Sequence, residues 1–196
     1  MHRRVFPTGA LAVALAIPIS PALARGEKRA VDVAHSVLKI QVFKSGLFSA
    51  FGHDHEIVAP ISEGVVETSE NASVEVRVDA RQLRVLDPDL PADKRAQVQK
   101  TMEGPEVLDN ARFPEIRFRS SSVGKKGRDG WTVNGDLTLH GQTHPIAVEV
   151  NLQDGHYRGS AKLKQRNFGM KPVSVAGGTV KVKDEVKITF DLVLTR

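Results

Sequence analysis

The stretch Gly135-Asp136-Leu137-Thr138-Leu139-His140-Gly141-Gln142-Thr143-His144-Pro145-Ile146-Ala147-Val148-Glu149-Val150 reads as a strand, a tight turn and a second strand. Val133, Leu137 and Leu139 occupy odd positions, and Ile146, Val148, Val150 and Leu152 occupy even ones. Each arm therefore alternates apolar and polar residues, as an antiparallel strand with one face buried must. Gly141-Gln142 is the expected turn. The same alternation continues through most of the chain, which predicts an all-β protein whose sheet closes on itself and so leaves no exposed edge.

Working outward, Ser73 to Asp79 alternates through Val74, Val76 and Val78, and Val186 to Leu194 does so through Ile188, Phe190 and Leu192. Extended segments are also expected at Val31 to Val42, Phe48 to Glu67, Ile116 to Val123, Tyr157 to Gln165 and Thr179 to Lys183. The tally is an antiparallel barrel of about eight strands. One interruption stands out. After Asp87-Pro88-Asp89-Leu90-Pro91, residues Ala92 to Glu103 carry strong helix formers and no Gly or Pro, with Asp93 in the first turn where the helix dipole favours an acid. That helix, at about 92–103, is too polar to build a core of its own and is expected to plug one end or edge of the sheet.

The chain begins with Arg3 and Arg4, a Leu/Ala/Val run to Ile17 and Ala22-Leu23-Ala24, the pattern of a cleaved secretory signal over residues 1–24. A periplasmic address and a single domain over residues 25–196 are expected. Losing Arg3 and Arg4 with the leader takes the formal charge from +5 to +3. The absence of Cys excludes thiol chemistry and thiolate metal ligands. Basic residues are scattered and the chain has one Trp and one Tyr, so no basic stripe interleaved with aromatics points to nucleic acid.

No catalytic residues are expected. Ser36 follows His35 directly on a strand, and neither a Gly-x-Ser-x-Gly elbow nor a His-Glu-x-x-His helix occurs. Asp87 with Asp89, and Asp184 with Glu185, read as solvated loop charges.

Several segments together resemble the YceI-like periplasmic lipid-binding proteins. They are Val31-Asp32 through His35-Ser36, the polar helix leading to Leu108-Asp109, Phe113-Pro114-Glu115-Ile116-Arg117-Phe118 with Ser120, Gly135 to Gly141 with Thr143 and Pro145, and Arg166-Asn167-Phe168-Gly169. The resemblance implies a lipocalin-like, eight-stranded antiparallel barrel holding an isoprenoid lipid, such as a polyprenyl lipid or a quinone tail. It implies no further cofactor and a protein that is not an enzyme. A lipid carrier is also expected to touch membranes transiently, and a homodimer is left open. The chain departs from the family pattern at His53-Asp54-His55 and at His144, where a Lys is common.

Residues two apart on a strand share a face, so His53 and His55 should point inward with Ile57 and Ile61. His144 shares parity with inward Ile146. The expected ligand-binding set is His53, His55 and His144 as a polar mouth for a head group, with Ile57, Ile61, Phe118, Leu137, Leu139, Phe168 and Phe190 as apolar contacts. The alternative is a metal-binding barrel, since His53, His55 and His144 as neutral imidazoles would suit a divalent Zn, Cu or Ni ion. Against that alternative, Ala59 and Pro60 stand where a Glu ligand after His55 would be needed. His35 and His140 are expected to make structural hydrogen bonds near strand ends, and His156 to be a turn residue.

Overall fold

A computed structural model describes residues 27–45, 54–69, 71–175 and 180–195. Both the expected signal segment and His53 lie outside the described residues. Among those described, no helix is long and apolar enough to cross a membrane.

The hairpin is present, between β8 (Gly130–Leu139) and β9 (Gln142–Gln153), with Leu139 opposite Gln142 and Leu137 opposite His144. Its turn is His140-Gly141 rather than Gly141-Gln142. Both turn residues have positive φ, 51° and 71°, which matches the twist of the paired strands. Asp154 and Gly155 repeat this arrangement, at 54° and 81°, between β9 and β10 (His156–Lys164).

The remaining strands are β1 (Lys28–Ala30), β2 (Val37–Ser45), β3 (His55–Val58), β4 (Ile61–Glu67), β5 (Ser73–Asp79), β6 (Arg84–Val85), β7 (Glu115–Lys125), β11 (Ser174–Val175) and β12 (Val180–Val193). All belong to one curled antiparallel sheet in the order β1-β4-β5-β7-β8-β9-β10-β12-β2-β3-β6, with β11 on β12.

Among the described residues the strands number twelve rather than eight, for identifiable reasons. Asp32 caps a turn over Val33–His35 by accepting from the Ala34 N–H and the His35 N–H, which separates β1 from β2. Ala59-Pro60 separates β3 from β4, proline having no N–H to offer a ladder. Thr179 to Lys183 and Val186 to Leu194 merge instead into β12, through a register shift between Val182 and Val186. The short β1, β6 and β11 carry too few residues for alternation to show.

The β1 margin of the sheet is tied across to β12. Val31 N–H donates to Gly64 O (2.8 Å), Asp32 N–H to Val193 O (2.8 Å) and Thr195 N–H to Ala30 O (2.9 Å), so the segment after β1 joins β4 to the end of β12.

The helix α1 (Ala92–Glu103) occupies the expected residues. It is fastened through Gln99, which accepts from the Val85 N–H and donates to Leu83 O, both at 2.9 Å, and it buries Met102 beneath the sheet. One end of the barrel, here the closed end, thus carries α1, the His140-Gly141 turn and a 3-10 turn at Gln165–Phe168. The opposite, rim end carries the turns after β4, β7 and β9.

Candidate functional site

Alternation along the strands turns an unbroken set of apolar side chains toward the axis of the barrel, and they leave two adjoining cavities. The larger, of about 350 Å³, lies toward the rim. Val66, Val76, Val133, Val148, Phe118 and Phe190 form its wall, Trp131 and Tyr157 stand near the opening, and Glu67, Thr68, Ser69 and Ser73 border it there. The Trp131 and Tyr157 ring centroids are 6.2 Å apart. The smaller cavity, of about 120 Å³, lies toward the closed end and is bounded by Leu83, Met102, Leu108 and Met170 together with Ile57 and Leu139. Its polar neighbour, Gln165, is 5% exposed and donates to Lys183 O at 2.8 Å, so the buried amide has a partner. Such a space excludes water from an apolar chain and, apart from the hydrogen-bonded Gln165 amide, offers polar groups only at the rim, a binding geometry for an amphipathic molecule.

The expected apolar contacts divide between the two cavities. Phe118, Leu137 and Phe190 border the larger, while Ile57, Leu137 and Leu139 border the smaller. Ile61 and Phe168 are 5% and 1% exposed and border neither; Phe168 is part of the seal at the closed end.

The two described histidines of the expected polar mouth, His55 and His144, have separate partners. Phe168 meets the His144 ring edge-on, with centroids 5.2 Å apart. His55 is held elsewhere: its Nδ1 lies 2.6 Å from Asp87 Oδ2, and the other oxygen of Asp87 accepts from the Glu56 N–H at 2.8 Å. Asp87 is thus a buried clamp between β3 and the segment leading to α1, which corrects its reading as a solvated loop charge. Among the described residues no three His, Asp or Glu side chains converge as metal ligands.

His35 and His140 do make local hydrogen bonds, to Asp32 (2.9 Å) and to Phe168 O (2.9 Å). His156 is the first residue of β10 rather than a turn residue, and its Nδ1 lies 2.6 Å from Asp191 Oδ1.

Sequence reasoning missed the residues nearest the opening. Trp131 shares parity with Val133 and Leu137, a signal strong enough to place it inward. Glu67, Thr68, Ser69 and Ser73 carried no signal, because a polar turn reads the same whether or not it borders a cavity.

Charge is concentrated on the outer wall. Hydrogen bonds from Arg117 and then Arg77 hold the Glu75 carboxyl below its ordinary range. At Asp191, burial works to raise the carboxyl, but hydrogen bonds from Arg158 and His156 outweigh it and hold it low.

These features define a class: an all-β barrel with an apolar interior, a sealed end and a polar-edged opening. The chain belongs to the YceI-like domain family, which it matches over residues 30–194. It is similar to a UPF0312 protein of Vibrio cholerae, 27% identical over 191 residues that cover 91% of this chain and 95% of the relative. A UPF0312 protein of Shewanella denitrificans is 27% identical over 148 residues, covering 70% and 73%. Among solved structures, Burkholderia cenocepacia BcnA superposes with a TM-score of 0.65 at 21% identity, covering 85% of this chain and 99% of that one. A polyisoprenoid binding domain from Saccharophagus degradans gives 0.52 at 13% identity, covering 83% and 95%. At these identities the superpositions establish the fold.

Proposed function

We propose that this protein is a non-enzymatic carrier that holds one long-chain amphipathic lipid of the isoprenoid class, a polyprenyl lipid or a quinone, inside its barrel, and that it works in the periplasm after losing residues 1–24. The observation that carries the reading is the apolar space of about 350 Å³ with polar side chains at one end only. Its lining offers hydrophobic transfer, worth about 25 cal/mol for each Å² of apolar surface removed from water. The isoprenoid class is suggested by family membership and by the polyisoprenoid-binding character of the Saccharophagus degradans domain. The head group is assigned to the rim, beside Ser69 and Ser73, rather than to the histidines.

Native mass spectrometry of protein recovered from periplasm, followed by lipid extraction, tests this reading. A single prenyl species at a stoichiometry of one is expected, on a chain beginning near Arg25. A protein that carries no lipid and whose melting temperature does not move when prenyl alcohols are added would overturn it.

A further inference from the structure

The two cavities share two side chains, Leu137 and Ile188. Leu137 comes from β8 and Ile188 from β12, so they approach the axis from different parts of the wall. Around the larger cavity the bulky aromatics are kept aside. The tip of the Phe118 ring lies 2.6 Å from where a Cβ on Gly135 would be, and the tip of Phe190 lies 2.4 Å from the corresponding point on Gly159. Each ring thus rests in a recess that only glycine leaves, flat against a neighbouring strand. Leu137 and Ile188 stand where the two cavities adjoin. Beyond them the smaller cavity ends at Met102 from α1 and at Met170, unbranched side chains that adapt to an irregular guest.

We propose that Leu137 and Ile188 form a waist that measures the ligand, so that the protein selects single-chain lipids by chain length. This inference rests on the lipid-carrier reading above. A chain confined to the larger cavity meets no obstruction, and each added methylene should tighten binding about fourfold. Further carbons must part Leu137 and Ile188, so the gain per carbon falls there. Once past the waist the chain regains apolar contact, until it meets the methionines at the closed end. The length dependence therefore has a step and a ceiling, set respectively by the waist and by Met102.

The test is a binding series on the full-length secreted protein with geraniol, farnesol, geranylgeraniol and longer all-trans prenyl alcohols, read by native mass spectrometry and competition. In Ile188→Phe, which fills the waist, the gain in affinity on lengthening the chain beyond geraniol should cease, whatever the change for geraniol itself. Met102→Trp fills the far cavity from α1 without touching the waist and should lower the ceiling by itself. Leu137→Ala should remove the step. If one of these variants does not fold, the others still decide the question. Length profiles of Ile188→Phe and Met102→Trp that superimpose on that of a lipid-binding parent would overturn the waist alone. A parent that binds no alcohol of any length would overturn the carrier reading and the waist with it.

Discussion

The two ends of this barrel are made by different means. The rim end is closed by hairpins between neighbouring strands, and Asp154-Gly155 needs nothing beyond its own backbone: a side chain added at Gly155 would meet nothing within 4 Å. The closed end also has a two-residue turn of the same kind, His140-Gly141, but there the Phe113 ring stands 2.6 Å from where a Gly141 side chain would begin. His140 reaches Phe168 O, Asp87 reaches His55, and α1 lays Met102 into the interior. A hairpin brings its own partners, whereas a seal needs partners from far along the chain. The opening lies at the rim, where the long-range ties from Asp32 N–H to Val193 O and from Thr195 N–H to Ala30 O run between backbones in the wall.

The comparison can be broken most severely midway between the ends. Leu137→Arg places a charge on a residue 6% exposed that borders both cavities, without a counter-ion, and should cost more than about 4 kcal/mol or prevent folding. Urea denaturation reads it, and a stable variant would show that the inward face of β8 is wrongly assigned.

The matched turns give a sharper contrast. Gly141→Ala meets both the positive φ and the Phe113 ring, and should cost about 3 kcal/mol, while Gly155→Ala meets only the positive φ and should cost about 1 kcal/mol. Equal losses in thermal melts would mean that the packing around the closed-end turn adds nothing.

Asp87→Ala should cost about 2 kcal/mol, because it leaves the Glu56 N–H and the His55 ring without their acceptor. Hydrogen exchange should accelerate in β3 and α1 while the rim hairpins stay protected. Uniform acceleration across the barrel would show that the clamp does not act on the closed end in particular.

The smallest expected effect belongs to the outer wall, which serves neither end. The Asp191 carboxyl titrates below its unfolded value, so its contribution is present above about pH 4 and is lost as pH falls through the lowered folded value. Asp191→Asn should reduce the acid-induced drop in melting temperature by an amount equivalent to less than about 1 kcal/mol, as befits a partly exposed pair. A variant with an unchanged acid limb would show that Arg158 and His156 contribute nothing to stability through this carboxylate.

Alternation along β8, β9 and β12 decided which face is buried, because a period of two leaves no other way to hide Val133, Leu137, Val148 and Phe190 together. The span of α1 was equally legible, since Ala92 to Glu103 lacks Gly and Pro and is bounded by Pro91 and Gly104. The strand count was not legible: the break at Asp32–His35 depends on an aspartate side chain turning back on its own backbone, and β6 exists only because it lies against β3. The candidate site was half legible. Parity gave the apolar lining, including Ile57, Leu137 and Leu139, while no pattern in the sequence showed that His55 is held by Asp87.

What the sequence by itself determined is thus the class of fold, the buried faces and the helix, all properties of residues within reach of one another along the chain. Only the tertiary structure decided that His55 belongs to Asp87, that Phe168 borders neither cavity, and that Leu137 and Ile188 border both. His55 and Asp87 are 32 positions apart, and Leu137 and Ile188 are 51 apart. Which of them meet is set by the curl and register of the whole sheet, and no local pattern encodes that.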